Sequence, residues 1–189
     1  MSEVFNELLE KYPKLASIAL NKTATRYRTI SAQKVREQVN LPASYVSPSQ
    51  GRLVVSKKSS NTDLEARLSA RSRATSLARF AKGSPKKGYN KSVPLEVGVG
   101  KTSIINNVVM VNLKGSDTLR NLGLAVRSKT RPTGAYIPRQ LGNSDLWLLF
   151  GPSVAQVLAH KSDENGLWDK ADREVLNNFK AEFYRLIGV

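Results

Sequence analysis

The stretch that decides the fold is Ile105-Asn-Asn-Val-Val-Met-Val-Asn-Leu113, followed after a short connection by Gly123-Leu-Ala-Val-Arg127. Both segments are short and rich in Val, Ile or Leu, a composition that favours strands. Residues 93–99 and 146–150 have the same character. Four such segments in succession predict a small, mostly antiparallel β-sheet.

Weaker strand signals lie upstream of these segments. Residues 52–58 and 64–70 alternate between apolar and polar side chains, and the polar residues 59–63 separate them. This arrangement predicts a pair of strands joined by a turn. Residues 84–92 contain Pro and Gly among polar residues and are predicted to form a loop.

Residues 3–39 have helical periodicity, with a predicted break at Pro13. Pro42 ends the segment, because a proline disfavours helix in the residue before it. One face carries an apolar stripe that a small domain is not expected to bury alone, so we expect it to contact another subunit. The intersubunit candidates in this stripe are Leu15, Ile18, Thr23, Tyr27 and Ile30.

From Gly151 the chain is predicted to be helical again, with Pro152 in the first helical position and a helix over residues 154–159. A last helix is expected to bury Trp168, Val175 and Phe179. The expected fold is α+β, with a long N-terminal helix, the sheet and C-terminal helices. We expect one domain made of an amphipathic helical region (1–42), a β-rich core with basic loops (43–150) and a helical region (151–189).

Composition argues against catalysis. The chain has no cysteine and one histidine, which excludes disulfides and thiolate metal sites and leaves no multi-histidine metal site. Carboxylates are isolated in sequence, so no acid/base pair stands out. We therefore expect no enzyme activity, no catalytic, metal-binding or cofactor-binding residues, and no cofactor. No stretch is apolar over the roughly 20 residues that span a bilayer, so no membrane partner is expected.

The segment Gly98-Val-Gly-Lys-Thr-Ser103 resembles the end of a phosphate-binding loop. That loop needs a further glycine five positions before Gly100, where this chain has Leu95. It also needs a helix after the loop, whereas residues 104–111 have the composition of a strand. The segment is predicted to be a turn between two strands.

Positive charge is the strongest compositional feature, with 30 Lys and Arg against 15 Asp and Glu. Residues 52–91 contain eleven basic and two acidic residues. Such a field favours binding to polyanions or to an acidic protein surface. The alternative is a basic surface that contacts only solvent. The candidates for contact with DNA or with an acidic partner are Arg67, Arg71, Arg73, Arg79, Lys82, Lys86 and Lys87.

The segment Leu148-Leu-Phe-Gly-Pro-Ser-Val-Ala-Gln-Val157 resembles the C-terminal signature of the phage minor tail protein Z family. The run Ala19-Leu-Asn-Lys-Thr-Ala24 looks like the N-terminal helix of that family. Residues 64–80, ending in Leu-Ala-Arg-Phe, and the strands at 105–113 and 123–127 are similar to its central part. Residues 137–142 have no counterpart. The resemblance marks Gly151, Pro152, Ser153 and Gln156 as structural residues of the motif.

The resemblance implies a structural protein of a bacteriophage virion, which completes the tail or neck and mediates tail assembly or head–tail joining around the DNA channel. The implied partners are further copies of this chain in a ring, other neck or tail proteins, and the DNA in the channel. The implied location is the virion, after synthesis in the host cytoplasm. The alternative is a basic nucleic-acid-binding protein that contacts duplex phosphates, and a nucleotide-hydrolysing enzyme is a distant third.

Overall fold

The computed structural model describes residues 3–83, 85–113, 122–134, 136–162, 173–174, 176–178, 180–182 and 184–185, with side chains from residue 12 and without those of 160–162. Contacts group the chain into two compact units. The first unit comprises Met1–Lys34, Ser44–Arg71 and Leu158–Val189, and the second comprises Val35–Ala43 and Ser72–Val157. Helices and an antiparallel sheet together confirm the α+β fold.

The N-terminal helix α1 spans Glu3–Gln38. The predicted break at Pro13 was wrong, since α1 continues through this residue. A proline inside a helix removes one N–H donor and crowds the preceding turn, at a cost of about 3 kcal/mol. Burial of the helix face beyond Pro13, at Leu15 and Ala19, and a long ladder of further hydrogen bonds offset this cost.

In the first unit, β1 (Leu53–Lys57) and β2 (Arg67–Ala70) form an antiparallel pair, which confirms the predicted strand pair. Leu53 lies opposite Ala70, and the register shifts between Val55 and Lys57. The second strand begins later than predicted, at Arg67. Short 3-10 helices at Ala43–Val46 and Pro48–Gln50 precede β1.

The second unit contains a six-stranded sheet in which every pairing is antiparallel, as predicted. Its strands are β3 (Thr75–Ser76), β4 (Gly88–Glu96), β5 (Thr102–Asn112), β6 (Leu122–Arg127), β7 (Ile137–Gln140) and β8 (Leu146–Gly151). A 3-10 helix at Leu77–Phe80 follows β3. The turn predicted at residues 98–103 is confirmed, because it joins β4 to β5.

The pairing of β8 fixes the order of the strands. Phe150 pairs with Ser76 and with Ile137, and Leu148 pairs with Ala125 and with Arg139. A strand has only two sides, so β3 and β6 lie on one side of β8 and β7 lies on the other. β7 is therefore an outer strand, and so is β4, whose one partner strand is β5. Pro138 lies in β7, a position where a missing N–H is tolerated.

Two strands were missed and one loop was predicted too long. Strands β3 and β7 are brief, and β7 contains a proline, so neither has a clear sequence signal. Residues 88–92 belong to β4 rather than to a loop, because Gly88 to Asn90 pair with Val108 to Met110. Partner strands can impose extended structure on a segment that lacks strand propensity.

The C-terminal part begins with α2, which spans Val154–Ser162. The described residues between 173 and 185 are helical. Trp168, Val175 and Phe179, which the sequence analysis assigned to the buried face of the last helix, lie outside the described residues.

Candidate interaction surfaces and structural junctions

The junction between β8 and α2 contains a reciprocal cap. The backbone N–H of Gln156 donates to Ser153 Oγ at 3.1 Å, and the N–H of Ser153 donates to Gln156 Oε1 at 2.9 Å. Val157 N donates to the Ser153 carbonyl, so Ser153 is the N-cap of α2. This is a capping box, and it explains why Ser and Gln occur three residues apart in the motif. Pro152 precedes the N-cap, so its predicted place in the first helical turn was wrong.

Close packing, and not an unusual backbone conformation, is the reason that position 151 needs a glycine. The family resemblance marks Gly151 as a structural residue of the motif, and a left-handed backbone would be the usual reason for a glycine there. Gly151 is absent from the positive-φ residues among those described, and it ends β8 as an ordinary strand residue. A Cβ at this position would lie 3.1 Å from Leu77 Cδ2 and 3.1 Å from Phe80 Cε2. Both of those side chains are almost fully buried.

In the first unit, Asn21 and Ser17 hold the segment after β1 against α1. The Asn21 side chain donates to the Ser59 carbonyl at 2.9 Å and accepts from the Ser59 N–H at 2.9 Å. Ser17 Oγ donates to the same carbonyl at 2.9 Å. An asparagine satisfies both backbone groups of one residue in this way, so this position of the Ala19–Ala24 run has a structural role.

Arg28 and Arg52 use their side chains to bind backbone carbonyls in the first unit. Arg28 donates from Nε to the Leu53 carbonyl at 3.1 Å and from Nη2 to the Val46 carbonyl. Burial lowers the pKa of Arg28 from its usual value. Arg52 donates to the Tyr45 carbonyl at 3.1 Å and stacks on the Tyr45 ring at 4.0 Å. These two arginines therefore stabilise the fold. The planar guanidinium holds its N–H donors in fixed positions, so it can bind two neighbouring carbonyls at once.

Glu182 is a buried carboxylate that links the C-terminal helical residues to α1. Lys22 Nζ donates to Glu182 Oε1, and Arg185 Nη2 lies 2.9 Å from Oε2 as an ion pair without hydrogen-bond geometry. The hydrogen bond from Lys22 lowers the pKa of Glu182, against the opposing effect of burial. Nearby, Arg26 Nε lies 2.9 Å from Glu174 Oε1, and Asn178 donates to Thr23 Oγ1 at 2.7 Å.

The intersubunit candidates on α1 are largely used within the chain. Leu15, Thr23 and Tyr27 are buried, and Ile18 and Ile30 are half-buried. The expectation that a small domain leaves this stripe exposed was therefore wrong. The first unit draws on three separate segments of the chain, and together they cover a face that no single helix could bury. Contact of these residues with another copy stays a prediction.

The basic contact candidates divide between the two units. Arg67 and Arg71 belong to the first unit. Arg67 is exposed and pairs with Glu65, whose Oε1 lies 2.7 Å from Nη2. Glu65 also contacts Lys57, and these two cations lower its pKa. Arg71 is half-buried, and its backbone N–H donates to the Arg52 carbonyl.

The other five candidates belong to the second unit, and all five are exposed. Lys82 forms an ion pair, with Nζ 2.6 Å from Glu96 Oε2. The hydrogen bond from Lys82, followed by that from the Gly100 N–H, lowers the pKa of Glu96. Among the residues that the structure describes, the side chains of Arg73, Lys86 and Lys87 have no hydrogen bond or ion pair. Arg79 is exposed and interacts with another residue.

Strand β5 changes character at Asn107, a feature that the sequence analysis missed. Asn107 has a φ of 54°, the one positive φ among the described non-glycine residues, and its side chain accepts a hydrogen bond from Tyr89 at 2.8 Å. Beyond it, Val108 and Met110 are buried and pair with β6, whereas residues 102–106 pair with β4 alone. Asparagine tolerates this conformation better than most residues, and that tolerance is the available sequence signal.

The part of the chain that the structure describes contains no group of three or more His, Cys, Asp or Glu side chains that could hold a metal ion. None of its helices combines the length and the apolar character needed to cross a membrane.

No family model, no curated protein and no solved structure matches this chain. The resemblance to the minor tail protein Z family stays a prediction from the quoted motifs.

Proposed function

We propose that this protein is a structural component of a bacteriophage virion, a tail-completion or neck protein that docks to copies of itself and to neighbouring proteins around the DNA channel. In this proposal it is not an enzyme and needs no cofactor. The observation that carries the proposal is the role of the motif residues. Gly151, Ser153, Gln156 and Asn21 serve packing, capping and the joining of segments.

These roles are typical of a structural protein, in which residues position other segments of the chain and do not carry out chemistry. A residue kept for chemistry usually lies in a cleft with a perturbed pKa, whereas these residues are engaged with neighbouring backbone and core. The chain then presents an excess of basic side chains on its surface. In a ring these charges would repel one another unless DNA phosphate or acidic neighbours offset them.

The test is assembly of phage particles in cells that lack this protein. We expect heads and tails that fail to join, or tails that stop short of completion, in electron micrographs. Complementation with the wild-type gene restores joined particles. Complete, infectious particles without the protein would contradict the proposal.

A charge-reversal variant tests the basic surface of the second unit. We expect Arg73, Lys86 and Lys87 changed together to Glu to reduce joining while the protein still folds, because exposed substitutions rarely cost more than about 0.5 kcal/mol each. The matched control reverses Lys14, Arg36 and Lys58, which are also exposed and make the same change in net charge. Equal infectivity of both variants would assign the charge to a solvated surface.

The second candidate function is binding of duplex DNA through phosphates. The unpartnered side chains of Arg73, Lys86 and Lys87 favour it, because they are available to release counterions from a duplex. Binding of the isolated protein to duplex DNA would then fall steeply as salt rises, and the triple reversal would flatten that dependence. Affinity that does not depend on salt would exclude it.

A further inference from the structure

Strand β5 has neighbours on both sides along only part of its length. It pairs with β4 from Thr102, opposite Glu96, to Met110, opposite Gly88. It pairs with β6 only from Val108 to Asn112. Residues 102–107 therefore have a strand on one side and none on the other, and we call that second side the open edge. In an antiparallel ladder alternate residues direct their N–H and C=O groups to each side, so the open edge presents a row of backbone donors and acceptors.

Nothing in the described part of the chain covers the open edge. All of residues 102–107 are exposed except Ile105, which is half-buried, and Ile104 retains 65% of its accessible surface. None of them makes a backbone hydrogen bond outside the ladder with described residues. The chain that follows β6 does not pair with β5, because the ladder between β5 and β6 ends at Val108, which lies opposite Val126.

Exposed basic residues flank the open edge in sequence and in register. Lys101 immediately precedes it, Lys91 lies in β4 between residues paired with 106 and 108, and Arg127 follows the residue paired with Val108. Lys129 and Arg131 come next along the chain. None of these five has an ion pair with a described residue.

We propose that the open edge binds an extended, acidic segment of a partner protein, which adds to the sheet as a further strand beside residues 102–107. An added strand satisfies the donors and the acceptors of the edge, and its carboxylates offset the flanking charge. Duplex phosphate would offset the charge but would leave the row of carbonyls unpaired. A second copy of this chain is a poor match, since the outer strand β7 lacks one N–H at Pro138 and adds positive charge at Arg139.

The proposal depends on the proposed function only for the existence of a neighbouring protein in the particle. The test uses the isolated full-length protein, so its outcome is independent of the particle experiment. The probe is a peptide of roughly six residues, the usual length of a strand, that alternates Thr and Glu. Its matched control alternates Thr and Lys. We expect the acidic peptide to perturb the backbone amide resonances of residues 102–107, with an affinity roughly tenfold or more above that of the basic peptide.

Proline substitutions separate the edge from the fold. Ser103 and Ile104 are consecutive, so the N–H of one points to β4 and the N–H of the other points to the open edge. Of Ser103→Pro and Ile104→Pro, one should therefore unfold the hairpin and the other should keep the wild-type melting temperature. We expect the variant that stays folded to bind the acidic peptide roughly tenfold more weakly, because it lacks the outward donor. Lys101→Glu should weaken binding without affecting the fold.

Three results would overturn the proposal. The acidic peptide could leave the amides of residues 102–107 unchanged, or a folded proline variant could bind it like the wild type. Alternatively, a duplex DNA probe could shift the same amides at lower concentration than the peptide, which would assign the open edge to nucleic acid.

Discussion

Different interactions stabilise the interior of each of the two units. In the first unit, polar side chains join segments that lie far apart in sequence, as Asn21 does with Ser59 and Lys22 with Glu182. In the second unit, a backbone ladder and close apolar packing join the segments, as at Gly151 beneath Leu77 and Phe80. Stability of the first unit should therefore respond to the loss of these polar contacts, whereas stability of the second should respond to side-chain volume.

The largest effect is expected from Gly151→Val. The new side chain would begin 3.1 Å from Leu77 and Phe80, both almost fully buried, so the core must shift. We expect a loss of roughly 3 kcal/mol in the free energy of unfolding. Amide hydrogen exchange should show the loss in the second unit.

The matched control for this substitution is Gly98→Val. A Cβ at Gly98 has its nearest neighbour at 3.8 Å, and Gly98 has no positive φ. We expect a clearly smaller loss there. Equal losses at the two positions would mean that strand propensity, rather than packing on Leu77 and Phe80, governs Gly151.

Asn21→Ala should destabilise the first unit by about 2 kcal/mol, since two hydrogen bonds to the Ser59 backbone are lost at about 1 kcal/mol each. Asn21→Asp separates them, because a carboxylate still accepts from the Ser59 N–H but cannot donate to its carbonyl. We expect an intermediate loss for Asp in chemical denaturation. If Ala and the wild type unfold at the same denaturant concentration, the junction is not a stabilising one.

Lowering the pH should destabilise the first unit through Glu182. The pKa of Glu182 is lower in the folded protein than in the unfolded chain. Its stabilising contribution is therefore complete above the unfolded pKa, about 4.3 for a glutamate, and is lost as pH falls through the folded pKa. Thermal unfolding between neutral and acidic pH measures this effect.

Glu182→Gln supplies the comparison for that pH profile. It keeps the size of the side chain and removes the titration, so its melting temperature should fall less steeply with acid than that of the wild type. Glu65 and Glu96 also have lowered pKa values and are retained in both proteins. Parallel profiles would show that Glu182 does not contribute to the acid response.

The smallest effect is expected from Ser153→Ala, which removes the N-cap acceptor of α2. Loss of such a cap costs about 1 kcal/mol. Gln156→Glu is the control, because its carboxylate still accepts from the Ser153 N–H and suits the start of a helix. If chemical denaturation shows that Gln156→Glu is less stable than Ser153→Ala, the capping box does not stabilise α2.

Local pattern alone determined several features of this protein. Short segments rich in Val, Ile and Leu predicted β5 and β6, and alternation predicted the pairing of β1 with β2. The spacing of glycines in 98–103 excluded a phosphate-binding loop. These features depend on residues close in sequence, where side-chain periodicity and backbone preference act directly. The capping box has the same local origin, since Ser153 and Gln156 lie three residues apart, but it was not predicted from the motif.

Only the tertiary structure decided the features that depend on distant segments. Segments 44–71 and 158–189 complete the first unit, which is why the apolar stripe of α1 is buried in one chain. Gly151 is required by Leu77 and Phe80, more than 70 residues before it in sequence, and β7 exists because β8 offers it a partner. The open edge of β5 likewise follows from where β6 stops pairing. Periodicity carries no information about such distant neighbours, because they are fixed by packing and by the register of the ladders.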